Sequence, residues 1–268
     1  MRADYHLHTT HSMDGHMTLN QLCEAAIAAG LDEICLTEHI EPGHPDAGAD
    51  IPPDTAVWLS DIAAARTAYP QLTIRAGIEI GDNPTCRPAI HAWLDALPLD
   101  FRLLSLHLVD NQDPYNPRTF EGKTQQAFYR RYVESKLESI LAWPPEAFDS
   151  MAHLGYCAKF APYPAEARHL RYHHAPDAFD ALFRALAQGG KALEINTSGL
   201  NALGEPYPGR ELLRRFAELG GEFVTIGSDA HTTERVGQGE AIVRELARDC
   251  GLRYGLTFNN RVAMPYTL

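Results

Sequence analysis

The chain has 268 residues with 35 acidic and 23 basic side chains, a formal charge of −12 with histidine neutral. That balance argues against a binder of nucleic acid or anionic membrane, because both rely on clustered Lys and Arg to neutralise phosphate. A composition 45% hydrophobic and 22% charged is that of an ordinary globular protein, neither fibrous nor disordered, and thirteen histidines are its one oddity.

From the N-terminus, Met-Arg-Ala-Asp-Tyr-His has no apolar core of signal-peptide length, and nowhere do 18 apolar residues run together. A first helix is predicted from a cap at Thr18, with Gln21 completing a capping box, apolar Leu22, Ala25, Ala26 and Ala29, and Gly30 as its end. A strand-like run from Glu33 to Thr37 leads into a Pro/Gly-rich loop, Glu41 to Asp54. The pattern then predicts a helix over Thr55 to Ala68, ended by Pro70, and a strand over Leu72 to Ile80. Further strands are expected at Phe101 to Leu108 and Phe148 to Leu154. The longest insertion lies between them: a loop, Asp110 to Gly122, and a helix, Lys123 to Leu141.

The second half repeats the rhythm. Helices over Pro176 to Gln188, Gly209 to Leu219 and Glu240 to Asp249 alternate with strands at Ala192 to Asn196, Phe223 to Ile226 and, last, Tyr254 to Phe258. Such alternation implies a parallel sheet with crossover helices, and seven or eight units suggest closure into a barrel as one domain over 1–268. An open doubly wound sheet is the alternative. The five cysteines, at 23, 35, 86, 157 and 250, form no CxxC pair and leave one over, which fits a reducing, cytoplasmic setting.

Each strand-like run delivers histidine or carboxylate at its C-terminal end: His6-Leu-His8, Thr37-Glu38-His39, Gly77-Ile-Glu79, Ser105-Leu-His107, Ala152-His153, Glu194-Ile-Asn196 and Gly227-Ser-Asp229-Ala-His231. In a parallel barrel those ends share the face on which active sites are built. Residues i and i+2 of a strand point the same way, so His6 and His8, or Asp229 and His231, can reach one ion. Histidine with carboxylate suits Zn, Mn or Fe, and no cysteine stands at any of these ends to make a thiolate site. Nine candidate ligands (His6, His8, Asp14, His39, Glu79, His107, His153, Asp229 and His231) exceed one four-coordinate ion and imply two or three, with a bridging carboxylate. A single histidine after an apolar run, such as His107 or His153, is more often a hydrogen-bonded core residue. Coincidence across many strands carries the metal reading instead. His91 falls on a helix, His44, His169, His173 and His174 fall in loops where solvation is the default, and His11 and His16 lie near the site but are not needed.

These motifs resemble the PHP (polymerase and histidinol phosphatase) family: Asp4-Tyr-His-Leu-His-Thr-Thr-His-Ser-Met-Asp-Gly15, Leu36-Thr-Glu-His39, Gly77-Ile-Glu79, His107, His153 and Gly227-Ser-Asp-Ala-His231. Leu193-Glu-Ile-Asn-Thr-Ser-Gly199 and Gly204-Glu-Pro-Tyr-Pro208 are similar to its histidinol-phosphate phosphatase branch. The resemblance, which spans nearly the whole chain, implies a distorted (β/α)7 barrel, α/β and TIM-like, with three metal ions. His6, His8, Glu79 and Asp229 would hold one ion. Glu79 would bridge to a second held by His107 and His153, and Asp14, His39 and His231 would hold the third. It further implies a hydrolase of histidine biosynthesis that cleaves the small phosphomonoester L-histidinol phosphate, with a metal-bridging hydroxide held by Glu79 and its neighbours attacking phosphorus and no general acid assigned.

One departure concerns the substrate. Where the branch carries an acid two residues after the fifth-strand histidine and a basic pair further on, this chain has Gly155 and a single basic residue, Lys159, the candidate phosphate contact. Arg118, with Asp110, Asp113, Tyr115 and Phe120 in the 110–132 insertion, is a second candidate, since long loops on an active face commonly set specificity. The rival functions are a phosphodiesterase or exonuclease of the same family, which would need a basic groove that the 23 basic residues do not form; an amidohydrolase-type barrel; and a non-catalytic PHP module.

Overall fold

The computed structural model describes residues 1–46, 48–50 and 52–268. Its strands are β1 (Ala3–Asp4), β2 (Glu33–Ile40), β3 (Thr73–Gly81), β4 (Phe101–Ser105), β5 (Ser150–Met151), β6 (Ala192–Asn196), β7 (Phe223–Gly227), β8 (Tyr254–Asn259) and β9 (Val262–Thr267). Its helices are α1 (Leu19–Ala28), α2 (Thr55–Ala68), α3 (Arg87–Asp95), α4 (Gln125–Ala142), α5 (Pro176–Gln188), α6 (Ser198–Leu203), α7 (Arg210–Glu218) and α8 (Glu240–Asp249). The strands follow chain order in one sheet, parallel throughout except for the final β8–β9 pair.

The sheet closes on itself. Beyond β1, Tyr5 N donates to Ile226 O at 2.8 Å, Asp229 N to His6 O at 2.8 Å and His8 N to Ala230 O at 3.0 Å, so residues 5–8 lie between β2 and the end of β7. The start of β7 pairs instead with β8. One edge of β7 thus serves two neighbours in succession, which distorts the seven-stranded (β/α) barrel and leaves β8 and β9 as an appended hairpin.

Local chemistry explains the elements. Thr18 and Gln21 form the capping box of α1, Asp54 caps α2 by accepting from Ala56 N and Val57 N, and Gly30 adopts φ +71° just past α1. A large core lies between sheet and helices, and a smaller one fills the barrel from below, where Tyr5, Phe101 and Phe258 meet with ring centroids 4.9 to 6.1 Å apart.

Three expectations differ from the structure. β1 and β5 are two residues each, because the segments after them hydrogen-bond to side chains as well as to neighbouring strands; Leu7 N donates to Thr37 Oγ1 and His153 N to Glu194 Oε2. The chain does not end its strands at Phe258. Asn260 and Arg261 take positive φ and turn it into β9, where Pro265 is tolerated because β9 is an edge. The short helix α6 follows β6 directly and was not visible as a periodic pattern.

Candidate metal centre

Glu79 organises the open face. It lies near the end of β3, directly opposite His39 of β2 in the parallel register, and is fully buried. Its Oε2 stands 3.0 Å from His6 Nε2, 3.1 Å from His39 Nδ1 and 3.4 Å from His8 Nε2; its Oε1 stands 2.9 Å from His153 Nε2 and 3.2 Å from His107 Nε2. Five imidazoles from four strand ends therefore surround one carboxylate. Asp229, at φ +56°, turns its Oδ1 to within 3.5 Å of His6 Nε2 and 3.4 Å of His8 Nε2. Farther out, Asp14 Oδ2 is 3.0 Å from His231 Nε2 and 3.7 Å from His39 Nε2.

The far ring nitrogens fix the tautomers. His6 Nδ1 donates to Glu194 Oε1 at 2.6 Å, His107 Nδ1 to Glu41 Oε1 at 2.5 Å and His231 Nδ1 to the Asp229 carbonyl at 3.0 Å. Ser12 Oγ donates to Glu38, so it accepts from His8 Nδ1 at 3.3 Å. In its neutral form each of these four rings offers an Nε2 lone pair to the centre, the arrangement by which carboxylates and carbonyls behind a histidine prepare it for a cation.

Divalent cations fit this set. His8 Nε2 and His39 Nδ1 are buried without a hydrogen-bond partner, and His107 Nε2 faces His153 Nε2, like to like, at 3.2 Å. A tetrahedral ion with bonds of about 2.0–2.1 Å holds its ligands about 3.3–3.4 Å apart. The contacts among His6, His8, Glu79 and Asp229 run from 3.0 to 3.5 Å. Four triads have the reach for an ion: His6/His8/Glu79, His6/His153/Asp229, His39/Glu79/His107 and His8/His39/His231. His8 and His39 thus reach more than one position.

Electrostatics follow from the packing. Burial works to raise Glu79 and Asp229, but the surrounding imidazoles outweigh it and hold both well below the usual carboxylate range. Burial would lower His6, yet Glu79, Glu194 and Asp229 keep it well above its ordinary value. His8, stacked between His39 and His231 at 4.3 Å from each, is pushed down to about 3 by burial and by those neighbours.

Glycines give the carboxylates room. A Cβ on Gly227 would stand 2.3 Å from Glu194 Oε1, and one on Gly81 would stand 1.8 Å from Glu41 Oε2. Gly227 is therefore required by the close approach of Glu194 to His6.

A cavity of about 480 Å³ opens over the centre, lined by Asp14, His39, Glu79, His107, His153, Asp229 and His231. Lys159 also lines it, as do Asp113, Tyr115, Tyr156 and Phe160; the Lys159 Nζ sits 5.1 Å above the Phe160 ring. Arg118 is exposed and is not among the lining residues, so Lys159, not Arg118, is the basic side chain placed at the site. The 110–132 insertion reaches the cavity through Asp113 and Tyr115, whereas Asp110 pairs with Arg131 and Phe120 is buried against Phe128.

Sequence reasoning missed several residues. Glu41 stands two after His39, the spacing of His6 and His8, and its position just beyond the strand end hid it. His44, expected to be solvated, lines the cavity with a side chain 7% exposed, 3.8 Å from Asp113. His174, also read as solvated, is buried with its ring edge-on to Tyr129. His16, expected near the site, lines the cavity.

The model of the PHP domain family matches residues 4–198 of the chain. The chain is 28% identical over 260 residues to the histidinol-phosphatase of Lactococcus lactis, covering 96% of this chain and 94% of that one. It is 30% identical over 277 residues to the "probable histidinol-phosphatase" of Deinococcus radiodurans, covering 98% of each. The crystal structure of the Lactococcus lactis histidinol phosphate phosphatase, complexed with zinc, L-histidinol and phosphate, superposes with a TM-score of 0.89 at 27% identity over 98% of each chain.

Proposed function

The chain belongs to the PHP domain family, and from that membership we propose that it is a metal-dependent phosphomonoester hydrolase that cleaves L-histidinol phosphate in histidine biosynthesis. The observation that carries the reading is Glu79, a buried carboxylate within 3.4 Å of ring nitrogens from five histidines. The near end-to-end likeness to a phosphatase solved with zinc, L-histidinol and phosphate supplies the substrate.

In this reading His6, His8, Glu79 and Asp229 hold one divalent ion, Glu79 with His107 and His153 a second, and Asp14, His39 and His231 a third, drawn from Zn, Mn or Fe. Bound there, such ions would neutralise phosphoryl oxygens and lower the pKa of a coordinated water to about 7, the activation that a slow phosphate-ester hydrolysis needs. The chain's own residues do the rest. Lys159 places a cation at the cavity mouth for the phosphate dianion, and Asp113 offers a carboxylate to the substrate's amine. Tyr115 and Phe160, edge to face at 5.0 Å, offer an aromatic wall to its imidazole.

The partner is a small phosphorylated molecule rather than nucleic acid: Lys159, the one lysine lining the cavity among the described residues, shares it with Asp14, Asp46 and Asp113, the reverse of a basic groove. The five cysteines are free, in keeping with a cytoplasmic enzyme, and no helix among the described residues is long and apolar enough to cross a membrane.

Phosphate release by metal-reconstituted protein from L-histidinol phosphate, other small phosphomonoesters and a phosphodiester tests the substrate. Turnover confined to the diester would overturn it. Metal analysis should find more than one ion per chain.

A further inference from the structure

His153 stands beyond the end of a two-residue strand, so the sheet alone does not hold it. Its amide donates to Glu194 Oε2 at 2.6 Å, and the amide before it, Ala152 N, donates to Leu104 O at 2.9 Å. The carbonyls of the same segment look the other way, toward α4. Lys136 Nζ donates to Ala152 O at 3.1 Å, and Tyr132 OH donates to His153 O at 3.3 Å while accepting from Gly155 N at 3.1 Å. Tyr132 and Lys136 are four residues apart on one helix and hence on one face. Gly155, where the sequence departs from the family pattern, has φ +116°, a conformation that suits glycine and that aims its amide at the tyrosine oxygen.

Lys136 is out of place by ordinary packing rules. It is 1% exposed, yet its ammonium meets a carbonyl and the Tyr132 ring and, among the described residues, no carboxylate partner. A buried, unpaired ammonium is costly, and a methionine of similar length would fill the same space without that cost. Burial lowers its pKa to about 8, with the charges of Glu79 and Glu194 opposing the fall.

We propose that Tyr132 and Lys136 are positioning residues for His153: they clamp the backbone of residues 152–155 from α4 and so set the imidazole 2.9 Å from Glu79 and 3.2 Å from His107. The inference rests on the metal-centre reading and adds to it a support behind one ligand. Such outer contacts to a ligand are worth about 10- to 100-fold in metal affinity.

The test is a chelator titration of the zinc-reconstituted full chain. Lys136→Met and Tyr132→Phe should each weaken binding of one zinc per chain by about 10- to 100-fold and leave the remaining sites unchanged. Lys136→Gln, which keeps an N–H donor for Ala152 O, should retain most of that affinity. In a His153→Ala background neither substitution should change zinc binding further, because the group they position is gone. Tyr132→Phe removes a single hydroxyl and carries the test if Lys136→Met does not fold. Unchanged affinity in both variants, a glutamine variant as weak as the methionine one, or an undiminished effect in the His153→Ala background would overturn the inference. A wild-type protein that takes up no zinc would instead overturn the metal-centre reading itself.

Discussion

The two ends of the barrel bury carboxylates in opposite company. At the closed end Glu33, Asp100 and Asp149 each have a guanidinium: Arg75 meets Glu33 at 3.0 Å, Arg66 meets Asp100 at 3.0 Å, and Arg261, from the β8–β9 turn, meets Asp149 at 2.5 Å. At the open end the buried Glu79 and Glu41, the partly buried Asp229 and the exposed Asp14 at its rim pair with imidazoles, and among the described residues no lysine or arginine joins them. A guanidinium is a permanent cation, so the closed end is a finished electrostatic structure. An imidazole can exchange its proton for a metal ion, offering the lone pair in its place, so the open end is a set of anions and donors that a cation can enter by displacing protons.

The strongest way to break this contrast is to empty the open end. Glu79→Ala should lower kcat by about a thousandfold or more, since metal charge stabilisation is worth several kcal/mol, while circular dichroism shows a folded protein. His6→Ala and Asp229→Ala should likewise abolish turnover, and survival of turnover in either would remove that residue from the ligand set. The converse substitution at the closed end, Arg261→Met, leaves Asp149 buried without its partner. It should cost about 3 kcal/mol in denaturant unfolding yet leave metal content and kcat near those of the unsubstituted protein.

Smaller effects sharpen the same division. Lys159→Ala should raise KM for the phosphomonoester about tenfold with a lesser change in kcat, the loss of one charge-assisted contact. A KM that does not move would place the lysine in solvent. The smallest effect is one of pH on the metal-free protein. Burial works to lower His231, but Asp14 and Asp229 hold it up at about 9, against 6.5 for a free histidine. A raised histidine contributes its full stability below about pH 6.5 and loses it as pH rises through about 9. The melting temperature of metal-free protein should therefore fall across that window, and Asp14→Asn should flatten the fall. The arginine pairs of the closed end should add nothing there.

Much of this was legible in the chain. The helix over Thr55 to Ala68 begins and ends where its periodicity and Pro70 place it, and the capping box at Thr18 forms as its spacing requires, because both signals are local. The strand-end histidines and carboxylates could be read as one cluster because a parallel barrel sends every such end to a single face. Glu41, His44 and His174 were not legible, since their burial depends on loops whose course no local pattern sets.

What the sequence alone determined is the kind of chemistry: which side chains end each strand, and that six of the thirteen histidines of an acidic chain stand at those ends together with carboxylates. The tertiary structure decided their roles. It tied four rings by their Nδ1 atoms to Glu194, Ser12, Glu41 and the Asp229 carbonyl, moved Arg118 away from the cavity, and placed Lys136 and Tyr132 behind His153. The reason is geometric. Residue type and spacing are carried along one strand or helix, whereas tautomer, burial and support are fixed by contacts between elements far apart in sequence.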